Sequence, residues 1–128
     1  MATYTISARG TADPATAWER YAVPARWSEW SPQIRGVQAS SDRIATGTTG
    51  VVTGAAGLRV GFVIEHVDEA ARSWEWTVRL GLLRVRMRHD VLADSHGSMT
   101  TLRMTGPLPV LLAYSPLAQL ALTRLLRG

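Results

Sequence analysis

The chain has 128 residues, is 46% hydrophobic and 19% charged, carries a formal net charge of +4 and contains no cysteine. These values exclude a disordered segment, and the lack of cysteine excludes a disulfide framework and thiolate chemistry. The length suffices for one domain over residues 1–128 with a sizeable core of its own.

Every basic residue is arginine. A GC-rich bacterial genome is the expected source of that bias. The arginines are scattered along the chain without a recognisable binding motif, so nucleic acid is not an expected partner.

Met1 to Ile6 lacks the basic start and apolar run of a signal peptide, which makes the cytoplasm the expected location. Thr3 to Ala8 alternates as a strand. Asp13-Pro14 reads as an N-cap with proline at the first helical position, and the helix runs through Trp18 and Tyr21 on one face. Pro24 breaks it. Ala25 to Trp30 forms a second short turn, which Pro32 ends by disfavouring helical geometry at Ser31. Trp27 and Trp30, three apart, share a face of that turn. Both indoles suit a core, and one or both suit a cavity wall.

From Ile34 the pattern is β, with turn signals about every ten residues. Ile34 to Ala39 and Thr48 to Thr53 are strands, with a tight turn expected at Ala55-Ala56-Gly57. The surrounding glycines lack the Gly-Lys-Ser/Thr of a phosphate loop and fit bulges and strand curvature. Leu58 to Val67 carries Leu58, Val60, Phe62, Ile64 and His66 at one parity. Ser73 to Leu80 sets Trp74, Trp76 and Val78 against Glu75, Thr77 and Arg79. After Gly81, Leu83, Val85, Met87, His89 and Val91 oppose Arg84, Arg86, Arg88 and Asp90, giving one dry and one wet face. Met99 to Thr105 is the last strand. Ser115-Pro116 repeats the cap-then-proline device, and Leu117 to Arg127 is a leucine-rich helix with Arg124 and Arg127 at its C-terminal end. Val110 to Tyr114 reads alternatively as an earlier turn of the same element, kinked before Pro116. The apolar run from Leu108 is short and proline-interrupted, so stable membrane insertion is not expected.

The order is one strand, two short helices, about six more strands and a final apolar helix. Together with Asp13-Pro14-Ala15-Thr16-Ala17-Trp18, Trp27-Ser-Glu-Trp30-Ser-Pro32, Gly47-Thr48-Thr49-Gly50, the run Asp68 to Trp74, and His89, it resembles the START-like superfamily. The closest resemblance within it is to the polyketide cyclase/dehydrase and lipid-transport group. The resemblance implies an α+β helix-grip fold: a curved antiparallel sheet of about seven strands wrapped around the C-terminal helix. It also implies an apolar cavity between them that holds a hydrophobic small molecule, a lipid or a polyketide-like compound. The final helix looks shorter than is usual in that group. The same scaffold hosts carriers, cyclases and receptors, so the fold alone does not decide between a carrier and a polyketide cyclase or aromatase.

The ligand-contacting candidates are Trp30, Trp74, Trp76, Val85, Met87, His89, Leu102 and Tyr114. His89 points inward by strand parity and reads either as a core histidine satisfied by one hydrogen bond or as an acid/base group. Tyr114 with Arg72 is the remaining acid and oxyanion pairing. Catalytic motifs are missing: there is no nucleophile elbow, no zinc-protease helix and no dinucleotide fingerprint. Nothing stands at metal-ligand spacing, so neither a metal nor a cofactor is expected. A homodimer is compatible with the pattern.

Overall fold

A computed structural model describes residues 1–128. Seven strands form one antiparallel sheet: β1 (Ala2–Gly10), β2 (Ile34–Ala39), β3 (Thr49–Gly54), β4 (Arg59–Asp68), β5 (Ser73–Leu80), β6 (Leu83–Asp94) and β7 (Gly97–Gly106). Their order across the sheet is β1-β7-β6-β5-β4-β3-β2. The two edges, β1 and β2, are consecutive in sequence, and the helices α1 (Pro14–Ala22) and α2 (Trp27–Trp30) carry the chain from one edge to the other. The terminal helix α3 (Leu108–Leu125) lies across the inner face and contacts β1, β7 and α2.

The α1 start follows its sequence signal. Asp13 accepts a hydrogen bond from the Thr16 backbone N–H at 2.9 Å, with Pro14 opening the helix. That bond is the main cause holding the Asp13 carboxyl below the usual carboxylate range. Asp13→Ala should lower the thermal midpoint measurably and Asp13→Asn should largely restore it, because asparagine keeps an acceptor at the N-cap. Calorimetry of the two variants reads this directly.

The C-terminal end of α1 explains the paired tryptophans. The last four carbonyls of a helix lack intrahelical partners. The Trp27 indole N–H donates to the Tyr21 carbonyl at 2.8 Å, and the Trp30 indole N–H to the Arg20 carbonyl at 3.1 Å. The break at Pro24 folds α2 back so that its two indoles cap the preceding helix.

Strand parity holds along most of the sheet, with a register shift between Ile34 and Gly36 on β2 and a second on β4. The β4–β5 register shifts between Ile64 and His66, and Val67 then pairs with Trp74. This bulge moves Val67 towards the core, while His66 stays exposed. The expected tight turn after β3 is present, with Ala56 and Gly57 both at positive φ. Gly50 is required for another reason: a Cβ there would run into the Gln38 carbonyl and the Phe62 ring. The bare backbone of β3 is what lets Phe62 lie flat over it.

The largest correction concerns α3. The helix begins at Leu108 and runs 18 residues without a break at Pro116, so Val110 to Tyr114 is part of the same element and the helix does not start at Leu117. Proline at 116 removes the N–H that would have bonded the Leu112 carbonyl. Ser115 replaces it, its hydroxyl donating to that carbonyl at 3.0 Å, and this back-bonding keeps the helix continuous. Ser115 is therefore not an N-cap.

The C-terminal end of α3 is closed by α1. Arg20 donates to the Leu125 and Arg127 carbonyls at 2.6 and 2.7 Å, and the Ala12 N–H bonds the Leu126 carbonyl at 3.0 Å. Arg124 stands in the last turn as the sequence indicates, and Arg20 adds the direct hydrogen bonds to the terminal carbonyls. At the same end, Arg43 pairs with Glu19 and Glu69, and Glu69 also accepts from the Trp18 indole at 2.7 Å. Hydrogen bonds from Arg43 hold both glutamates below the usual carboxylate range. The network is half-exposed, so solvent screening leaves it a modest contributor to stability.

Candidate functional site

Between the inner face of the sheet and α3 lies a cavity of about 400 Å³. None of its lining residues is charged, and only Ser31, Gln33, Gly54 and His89 fall outside the hydrophobic set. Volume and lining are those of a small-molecule site.

The strands supply the floor. Trp74, Trp76 and Val78 on β5, Val85, Met87 and His89 on β6, and Leu102 and Met104 on β7 all line it. Antiparallel register makes this possible, because Trp74 faces His89, Trp76 faces Met87 and His89 faces Leu102 across adjacent strands. Trp30 lines it from α2, and Tyr114 with Leu111, Ala118 and Leu122 from α3. All eight sequence-stated candidates therefore stand around one cavity. The α3 contribution runs from Val110 to Leu122, one to two turns earlier than a helix starting at Leu117 would provide.

The floor is an aromatic stack. The His89 ring lies on Trp74 with centroids 4.3 Å apart and planes 11° from parallel, and Trp74 stacks in turn on Trp27 at 5.6 Å and 26°. Trp76 meets Trp27 edge-on at 5.1 Å and Phe62 at 5.3 Å. Tyr21 closes the stack from below, its ring 5.1 Å from His89 at a steep angle. These are the offset-stacked and edge-to-face geometries that aromatic quadrupoles prefer.

Two further polar residues were not given a polar role from the sequence: Gln33 lines the cavity, and Tyr21 lies beneath its floor without lining it. Tyr21 is fully buried and its hydroxyl contacts Thr100 Oγ1 at 2.6 Å, while Thr100 donates to the Asp90 carbonyl at 2.9 Å. That donation assigns the proton of the first bond to Tyr21. Burial pushes the Tyr21 hydroxyl well up from its ordinary value. Gln33 Nε2 donates to the Tyr114 hydroxyl at 3.0 Å, joining the start of β2 to α3. Burial raises the Tyr114 hydroxyl too. Its position directly after Pro32, one residue ahead of a strand, was the only signal for Gln33.

His89 differs from the satisfied core histidine. Its Nδ1 is buried without a hydrogen-bond partner, as are the Trp74 and Trp76 indole nitrogens and Gln33 Oε1. Burial alone pulls the His89 pKa down to about 3, so the imidazole is neutral at neutral pH. Native proteins leave few such buried groups unpaired, and each one needs a reason.

Arg72 does not join Tyr114. It sits at positive φ in the β4–β5 turn and does not line the cavity. Glu75 and Asp90 face the outer side, paired with Arg86 and Arg88. His66 and His96 are exposed, and no three metal-ligating side chains come together.

The family model described as polyketide cyclase / dehydrase and lipid transport matches residues 1–128. No curated protein matches the sequence. Among solved structures, the crystal structure of Ara h 8.0201 superposes with a TM-score of 0.76 at 17% sequence identity, covering 97% of this chain and 94% of that one. At that identity the likeness carries the fold alone, a helix-grip α+β architecture.

Proposed function

The chain belongs to the polyketide cyclase/dehydrase and lipid transport family, and from that premise we propose that it carries an uncharged hydrophobic small molecule, a lipid or a polyketide-like aromatic, beneath α3. The observation that carries this reading is the cavity of about 400 Å³ with no charged residue in its lining. A ligand charge buried there would lose its hydration without gaining a counter-charge. Trp30, Trp74, Trp76, Val85, Met87 and Leu102 supply the apolar contacts. His89 and Tyr114 supply the polar ones.

The carrier reading ranks above an acid–base enzyme because of His89. General catalysis is most effective when the group titrates near the working pH, and burial holds this imidazole near 3. The second reading, a cyclase that shapes a reactive polyketide, is favoured by one observation. Tyr114 is a cavity hydroxyl fixed by a side-chain partner, Gln33, and stands as the proton donor such a reaction requires.

Four of the five tryptophans line the cavity, so intrinsic fluorescence reports occupancy. Native mass spectrometry of protein purified from its own host should find a neutral, apolar compound bound one per chain. His89→Gln should change the affinity for an apolar dye by no more than about tenfold, or roughly 1.4 kcal/mol. A fall in turnover of about a hundredfold at unchanged affinity would instead establish the cyclase. No adduct and no fluorescence response to apolar dyes would refute both.

A further inference from the structure

The cavity opens at one end of the sheet, and the rim there is unusual for a surface in water. Leu58 after β3, Leu80 and Leu83 at the β5–β6 hairpin, and Leu117 on α3 line the cavity, yet each is between 41% and 50% exposed. Leu82, at the hairpin tip, is fully exposed. The outer side of α3 continues the patch with Leu108 and Leu112, and the helix has no charged residue before Arg124. A contiguous apolar surface of this kind marks an interaction site.

The charge around the rim has one sign. Arg79 and Arg84 lie directly opposite each other on β5 and β6, and neither has a carboxylate partner. Like charges placed across strands destabilise the sheet unless something neutralises them. Arg59 stands at the same end on β4, one residue after Leu58. No Asp or Glu occurs from Trp76 to His89, from Ile44 to Ile64, or after Asp94, so the rim ends of the strands and the whole of α3 are free of acidic side chains. The carboxylates gather towards the opposite end, around the Arg43 network and the β4–β5 turn.

We propose that this rim docks on an anionic lipid bilayer, with the leucines seated among the acyl chains and Arg59, Arg79 and Arg84 among the lipid phosphates. An apolar face flanked by arginines suits the interface plane of a membrane. Basic residues near an anionic leaflet add attraction that salt weakens. Leu58, Leu80, Leu83 and Leu117 belong to both rim and cavity, so docking joins the hydrocarbon layer to the cavity and a hydrophobic ligand passes between them without crossing water.

The test is co-sedimentation of the full chain with vesicles of equimolar phosphatidylglycerol and phosphatidylcholine, compared with phosphatidylcholine alone. Binding should favour the anionic vesicles at least about tenfold and fall with added salt. Leu82→Glu, at a fully exposed position, should abolish it. Arg79→Gln with Arg84→Gln should weaken it about tenfold or more, whereas the charge-matched pair Arg9→Gln with Arg103→Gln, away from the rim, should barely move it. Absence of binding, equal binding to both vesicles, or indifference to Leu82→Glu overturns the proposal. So does a dimer that Leu82→Glu dissociates in protein that ignores vesicles, because the rim then faces a second copy. The measurement needs no ligand, so its failure leaves the carrier reading standing.

Discussion

Acidification from pH 6.5 to 4.5 should destabilise the protein by about 1.4 kcal/mol per pH unit, and His89→Leu should remove most of that slope. In the unfolded chain this imidazole takes its proton near 6.5, whereas burial in the fold holds it at about 3. Between those values the unfolded state binds the extra proton, so the native state loses ground as pH falls. The contribution is complete above 6.5 and gone near 3, a total of roughly 4–5 kcal/mol. The lowered carboxylates Asp13, Glu19, Glu69 and Asp94 act in the same direction. Their ordinary values are 4.5 or below, so the window above 4.5 isolates the histidine. Replacing His89 by leucine also deletes a buried nitrogen without a partner, so little stability should be lost at pH 7. Urea midpoints across the pH series decide it. A wild-type midpoint that is flat from 6.5 to 4.5 would mean that His89 is not buried in its neutral form.

Trp74→Ala should cost about 3–5 kcal/mol, the range for deleting a large buried aromatic. The ring is almost fully buried and touches His89, Trp27, Trp76 and Tyr21, so its loss opens a hole that the stack cannot collapse to fill. Against a typical total stability of about 5–15 kcal/mol, that is a large share. Trp74→Phe should be much milder, since it keeps a ring in the stack and removes an indole N–H that has no acceptor. Guanidinium unfolding of the two variants reads the contrast. An alanine variant within about 1 kcal/mol of wild type would show that the stack does not hold the sheet and helices together.

The sheet was legible because its alternation is a local property. From Ser73 to Val91 the parity of Trp74, Trp76, Val85, Met87 and His89 alone sets them on one face, and the register only had to align them. The bulge between Ile64 and His66 was not legible, since nothing in Ile64-Glu65-His66 marks an extra residue. Its evidence is the pairing of Val67 with Trp74, which lies in the partner strand. The sequence leaves the start of α3 between two readings because Ser115-Pro116 carries the local chemistry of a helix start. The residues ahead of it are helical because Leu111 and Tyr114 pack over the cavity and because the Ser115 hydroxyl takes the carbonyl that Pro116 leaves free. The polar roles of Tyr21 and Gln33 escaped notice because their partners, Thr100 and Tyr114, are distant in sequence and adjacent only once the sheet has closed.

The burial of α3 is uneven along its length. Up to Ser115 the helix fully buries only Leu111, whereas beyond Pro116 it buries Ala118, Ala121, Leu122 and Leu125 and ends in the Arg20 and Ala12 clamps. Detachment of the first two turns therefore sacrifices less apolar contact than detachment of the second half, chiefly that of Leu111 and Tyr114, and stops at the proline, where one rung of the backbone ladder is already a side chain. Local opening of this kind has a far smaller free energy than global unfolding. Access to the interior beneath the first half of α3 is thus separable from the anchorage of its second half, on which the fold depends.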